Sequence, residues 1–305
     1  MDSGMLGTRI RHLPLEELSQ LQVVPLQEFA SLPLRAAQPE VKNILSQTSH
    51  RPWPLPTGSW AMTQRWNDLL FAHWPIPAMQ MAHLIPPGLV LDTFDGSAWV
   101  GVVPFWMDRI RLRGMPLIPG ANRFPELNLR TYVRERHSNL PGVFFFSLDA
   151  ANPAAVLAAR AFFKLPYYWA HMRIETKDGR EFHYQSTRLL TVKDVRFRAS
   201  YRSLCQPGTK GGLESFLTER YCLYTTDKQG TLYRGNIHHL PWPLEMAEAE
   251  IEINELPQVH GIQLPEVKPV LHYARELVVY VWELELLPAL GKHASAAPVP
   301  VAKPL

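Results

Sequence analysis

The chain is poor in the residues that announce a mechanism. Among 305 residues there are two cysteines, Cys205 and Cys222. Two cysteines build no disulfide framework, and they carry no metal-ligand spacing. A buried, reduced pair in a cytoplasmic protein is the expectation. No run of ~18 apolar residues occurs, so no membrane-spanning helix is expected. The N-terminus M-D-S-G-M-L-G-T-R-I-R-H lacks an apolar segment of signal-peptide length. Charge of one sign is missing too. Thirty-one basic residues face twenty-eight acidic ones, interspersed along the chain, for a net charge of +3. That balance argues against a nucleic-acid partner. The three alternating arginines of D-R-I-R-L-R-G (Asp108–Gly114) read as a solvated strand face. There is no G-x-S-x-G elbow, no phosphate-cradling G-x-x-x-x-G-K-[ST] loop, no G-x-G-x-x-G and no H-E-x-x-H. No cofactor motif is therefore present.

Proline is what the chain has in excess, twenty-eight against seventeen glycines. Prolines break helices and mark strand ends and turns, which favours a β-rich fold. Hairpins follow the same lead. Asp95-Gly96 lies at the centre of Leu89–Phe105, and Asp178-Gly179 at the centre of Met172–Ser186. Asp-Gly tolerates the two positive φ angles of a type I′ turn. Cys222–Ile237 reads as a third hairpin with a longer loop. Leu127–Arg134, Val143–Leu148, Asp194–Arg202, Ala247–Ile253 and Leu271–Glu283 add strands.

Helices are few. Thr63–Pro75 reads as one, with Trp66, Leu69, Leu70, His73 and Trp74 at helical spacing. Pro77–Leu84 reads as a second, short one. Asn152-Pro153 is an N-cap followed by proline at the first helical position, opening a helix to about Lys164. Leu213–Arg220 is a fourth. Many strands with short turns and few helices predict a mainly β, β-rich α+β fold, an antiparallel barrel or strongly curved sheet. Residues 1–50 stand apart as a loosely ordered extension, in which Leu15–Phe29 has a weak helical period interrupted by Pro25. A single barrel domain spans 51–288, and 289–305 is an Ala/Pro-rich tail expected to fray.

The strand F-P-E-L-N-L-R-T-Y-V (Phe124–Val133) carries the main site expectation. Alternate residues share a face. Leu127, Leu129, Thr131 and Val133 form an apolar face, and Glu126, Asn128, Arg130 and Tyr132 a polar one. The polar face meets either solvent or a barrel cavity. In a cavity, Asn128 and Arg130 would hydrogen-bond a ligand, and Arg130 would need an anion, either Glu126 or a ligand carboxylate. His238 and His239 in R-G-N-I-H-H-L-P-W-P-L are adjacent, so on a strand they diverge and cannot share one metal. One of them, His238, is a candidate cavity-wall histidine or a structural one. In S-F-L-T-E-R-Y-C-L-Y-T, Glu219 on a short helix could pair with an arginine.

Six stretches together, Q-R-W-N-D-L-L-F-A-H-W-P, P-P-G-L-V-L-D-T-F-D-G-S-A-W-V-G-V-V-P-F, F-P-E-L-N-L-R-T-Y-V, F-F-S-L-D-A, F-L-T-E-R-Y-C-L-Y and I-H-H-L-P-W-P-L, resemble the YqjF-like family (DUF2071) over about Arg51 to Pro288. That family looks related in fold to acetoacetate decarboxylase. The resemblance implies a mainly antiparallel barrel with a cone-like interior that holds the site. The decarboxylases carry a G-F-P-K-K-like motif, whose first lysine forms an imine with the keto acid while the second lowers its pKa. The matching stretch here is K-L-P-Y-Y, Lys164 to Tyr168. Pro166 fits, and Tyr167 and Tyr168 stand at the lysine positions. A phenol forms no imine, so Schiff-base decarboxylation is excluded there. The resemblance places Glu126 at the position of a decarboxylase glutamate. By strand geometry Tyr167 would offer its hydroxyl to the cavity and Tyr168 would face outward.

Three functions compete on these residues. The first is a barrel binding a small organic acid or carbonyl compound through Glu126, Asn128, Arg130, Tyr167, Glu219 and His238, without cofactor or metal. The second is a structural or interaction protein with a filled barrel, whose N-terminal extension docks a partner. The third is a cofactor-independent lyase or hydrolase. Oligomeric state stays open at this point.

Overall fold

The computed structural model describes residues 44–116, 122–209 and 211–288. The Leu15–Phe29 segment and the Ala/Pro-rich tail lie outside the described residues. Twelve strands and three α-helices follow in the order β1 (Met62–Pro77), α1 (Ala78–Met81), β2 (Leu89–Leu91), β3 (Ser97–Leu112), β4 (Phe124–Glu135), β5 (Pro141–Ala150), α2 (Pro153–Phe162), β6 (Tyr167–Lys177), β7 (Glu181–Arg188), β8 (Arg196–Pro207), α3 (Gly212–Thr218), β9 (Cys222–Thr226), β10 (Leu232–His238), β11 (Leu244–Asn254) and β12 (Val270–Leu286).

The strands form one sheet in the order β10-β9-β5-β6-β7-β8-β11-β12-β1-β3-β4-β2. Pairing of β4 with β5 closes it, and pairing of β10 with β12 closes it a second time. Two rings thus share the strands β12-β1-β3-β4-β5. Pairing is antiparallel except where β5 meets β6 and β9, which run parallel to it. Because the shared strands are covered on both sides, both of their faces are largely buried. Leu70, Ala72, Leu127 and Leu129 face one core, with the inner residues of β6–β8. Leu69, Phe71, Val103 and Phe105 face the other, with Val156 of α2 and Trp242. Burial of this kind stabilises by about 25 cal/mol per Å² removed from water.

Turn and cap chemistry is realised as expected. Asp178 and Gly179 have φ of 55° and 63° in the β6–β7 hairpin. Asn152 caps α2 through its side chain, which accepts from Ala155 N, with Pro153 at the first position. Asp95 and Gly96 also have positive φ, 48° and 77°. Their hairpin is, however, a single bridge, Phe94 to Ser97. Residues 89–91 pair with β4 rather than β3, and the Asp92 carboxylate is drawn the same way by Arg134 and Arg220.

The segment Thr63–Pro75 is not a helix but the body of β1, paired with β12 and β3. The misreading has a physical cause. Register against β3 shifts between Asn67 and Ala72, and Asp68 sits at φ 51°. The bulge reverses the alternation, so Trp66 and Leu69 reach one core while Leu70 and Trp74 reach the other. Spacing of three between Trp66 and Leu69 then imitates a helix. Buried Asp68 is tied by Trp106 Nε1 at 2.9 Å and by the Tyr273 hydroxyl, and its backbone carbonyl accepts from Tyr201.

Two further expectations change. Cys205 is exposed while Cys222 is buried, and both are free thiols, so they are not a buried pair. The last residues of the 1–50 zone, from Ile44, are packed on the barrel. His238 Nε2 lies 2.9 Å from the Ile44 carbonyl, and His50 Nε2 2.8 Å from that of His239.

Candidate functional site

The polar face of β4 does not meet solvent. Glu126, Asn128, Arg130 and Tyr132 are buried alongside their apolar alternates. On the same side stand Phe71 and His73 of β1, Gly101 of β3, and His272 of β12, which pairs with Phe71. α3 closes one end. Arg130 Nη2 donates to Leu217 O at 3.4 Å, and Phe216 packs on the Tyr132 ring at 5.3 Å.

At the other end, Tyr167 donates its hydroxyl to Glu126 Oε2 at 2.7 Å. Burial raises the Glu126 pKa to about 8 against the partial relief of that hydrogen bond, with Asp149 adding to the rise. Glu126 is therefore a neutral carboxylic acid at pH 7. Burial also raises the Tyr167 phenol well above its usual range. Tyr168, one residue on, points the opposite way and stacks on the Arg188 guanidinium at 4.2 Å. Arg188 is itself held by buried Asp149 at 2.7 Å and by Ser147. Lys164 leaves this region altogether. With φ 51° it ends the α2 turn, and its ammonium lies over Tyr233.

Around Arg130 the hydrogen bonding is incomplete. No carboxylate among the described residues lies within ion-pair distance of it, and its Nε is buried without a partner. The Asn128 Oδ1, His73 Nδ1 and His272 Nδ1 atoms are buried and unpaired as well. Native interiors leave few such groups. Arg130 and His73 are neighbours as residues: the space above Gly101 is bounded by His73 Cδ2 and Nε2 and by Arg130 Cγ. His73 Nε2 lies 2.6 Å from the Tyr132 hydroxyl. Burial, then the nearby Arg130 and His272, hold the His73 pKa well below its ordinary value, so the ring is neutral. Arg130 Nε–H is thus an unpaired donor and His73 Nδ1 an unpaired ring nitrogen, both buried.

The remaining two candidates lie elsewhere. Glu219 accepts from Trp242 N at 2.9 Å and from the Tyr221 hydroxyl, holding the turn after β10. His238 accepts at Nδ1 from Arg51 at 3.2 Å and reaches Ile44 O through Nε2, so both ring nitrogens are engaged in tying down residues 44–51. His73 and His272 were missed because residues about two hundred apart meet only through strand register, and His73 had been placed on a helix. No cluster of three metal-ligating side chains occurs among the described residues. Two cavities, of about 600 and 290 Å³, lie apart from this interior, the first beside β11 and Lys268, the second beside Gly88 and Glu135.

A β sheet closed on itself in this order belongs to a recognisable class. The chain has the acetoacetate decarboxylase-like fold. It superposes on the enduracididine biosynthesis enzyme MppR complexed with pyruvate with a TM-score of 0.53 at 12% identity, covering 75% of this chain and 91% of that one. An acetoacetate decarboxylase from Legionella pneumophila gives a TM-score of 0.51 at 12% identity, with 83% and 98% covered. Within that fold the chain belongs to the DUF2071 family of uncharacterized conserved proteins, whose family model matches residues 63–278. The uncharacterized protein YqjF of Bacillus subtilis (strain 168) is 49% identical over 232 residues, 75% of this chain and 94% of the relative.

Proposed function

We propose that the chain binds a small organic acid at the interior between β1, β3, β4 and β12, with its carboxylate on Arg130 and His73 and a polar contact to Asn128. One observation carries this reading: a buried arginine with no carboxylate partner, beside further unpaired polar atoms on the same face. A buried guanidinium without an anion is costly, and a ligand carboxylate would supply the missing acceptor at Nε. Glu219 and His238 support the walls and do not touch it. The pyruvate complex of MppR is consistent with an oxo acid in such a fold. With tyrosines at 167 and 168, any chemistry proceeds without an imine at those positions. Two free thiols suit a reducing, cytoplasmic setting.

A second reading has its own observation. Glu126 keeps its proton to about pH 8 and is bonded to Tyr167, which equips it as a general acid at neutral pH. The bound acid would then be turned over by proton transfer.

The test is a thermal-shift and calorimetric titration with short carboxylic and 2-oxo acids and their amides. Binding to the native state raises the melting temperature by mass action. The expected result is a rise with the acids alone, abolished in Arg130→Met. Equal rises in wild type and Arg130→Met, or none across the panel, refute the site. Glu126→Gln that binds but no longer consumes the acid supports turnover; consumption unchanged in that variant refutes it.

A further inference from the structure

α2 carries an apolar stripe on the wrong side. Its buried contact is Val156, yet Ala154, Leu157, Ala158, Ala161 and Phe162 are all exposed, Leu157 at 47% and Phe162 at 75%. These five positions follow the i, i+3, i+4, i+7, i+8 spacing of a single helix face. Isolated exposed apolar residues are ordinary, but a contiguous stripe marks a contact surface. The charge on the helix beside it is Arg160, and the helix contains no acidic residue.

We propose that this face is the docking surface for the chain's own segment Leu15–Phe29, a contact independent of the carboxylate site. Three observations select that occupant. The first is charge: the segment carries Glu16, Glu17 and Glu28 with no lysine or arginine, and supplies Leu15, Leu18, Leu21, Val24, Leu26 and Phe29 as apolar partners. The second is the anchor. Ile44, the first residue of the described structure, is fixed on the barrel by His238 Nε2 at 2.9 Å from its carbonyl, so the segment is tethered there. The third is reach. Fourteen residues lie between Phe29 and Ile44, enough to span about 50 Å when extended, against a helix only about 15 Å long. A second copy of the chain fits less well. One face of so short a helix buries far less than the ~800 Å² per partner of a stable interface.

The experiment places p-benzoylphenylalanine at Phe162 in the full-length chain, irradiates it, and maps adducts by intact mass and tryptic peptides. The expected product has monomer mass and joins α2 to the peptide released by cleavage after Arg11 and Arg35. Its yield should fall severalfold when Leu18→Asp and Leu21→Asp are introduced together. A dimer-mass adduct would make α2 a self-interface and overturn the proposal. So would adducts confined to residues of the barrel, or a yield unchanged by the two aspartates.

Discussion

Tyr167 and Glu126 are joined by a 2.7 Å hydrogen bond that links β6 to β4 across the interior. Burial, working against that bond, keeps Glu126 a carboxylic acid at neutral pH, with a consequence for stability. The folded pKa of about 8 lies above the ordinary 4.5, so between those values the native state keeps a proton that the unfolded chain releases. The stabilisation is complete below pH 4.5, declines as pH rises, and is flat above about 8. Glu126→Gln, permanently neutral, should remove this decline. Its stability relative to wild type should be higher at pH 8.5 than at pH 5 by roughly a few kcal/mol. Urea denaturation at the two pH values measures it, and an identical difference at both would refute the assignment.

The acid side is set by histidines. Burial lowers the pKa of His238 and His239 to about 4 from 6.5. Here the unfolded chain binds the protons first, so stability is complete above pH 6.5 and falls as pH drops toward 4. His238→Leu should flatten part of that limb. It also removes the donor to Ile44 O and the acceptor for Arg51, at a cost of about 1–3 kcal/mol. Amide hydrogen exchange at Arg51, whose N–H is bonded to Thr48 O at 2.9 Å, should then speed up severalfold. Unchanged exchange would show that His238 does not hold this segment.

Gly101 is required for space, not for its backbone angles. A Cβ there would lie 2.9 Å from His73 Cδ2 and Nε2. The imidazole is buried and bonded to Tyr132, so it cannot move freely. Gly101→Ala should cost about 1–3 kcal/mol and weaken binding of the acid without removing any polar group. An unaltered melting temperature and affinity would mean that the His73 position is not constrained by this contact.

The Arg188–Asp149 pair is the test of a buried ion pair that is fully satisfied. Asp149 has its pKa raised to about 6 by burial, partly offset by Arg188. Arg188→Met strands the carboxylate and should destabilise by about 3–5 kcal/mol. The double variant Arg188→Met with Asp149→Leu should recover much of the loss. No recovery would place the cost in the lost stacking on Tyr168 instead.

Much of the architecture was readable from local chemistry. Asp178-Gly179 turns because two adjacent residues must accept positive φ, and Asn152-Pro153 starts a helix because an amide oxygen and a fixed φ suit its first turn. The alternation of Glu126, Asn128 and Arg130 against Leu127 and Leu129 required only the period of a strand. The imine lysines were missing in the sequence itself, at Tyr167 and Tyr168. These features depend on residues a few positions apart, so no fold was needed to see them.

Tertiary structure decided the rest. β1 is a strand because β3 and β12 bury it from both sides and a bulge at Asp68 shifts its phase, which no local pattern records. Whether the polar face of β4 met water or protein depended on ring closure between β4 and β5. The role of His73 arose from strand register, which sets it beside Arg130 and Tyr132. Burial then fixed the charge states, because removing water penalises an ion in proportion to its isolation. Sequence by itself determined which groups could form the site; long-range pairing determined which of them meet, and with what charge.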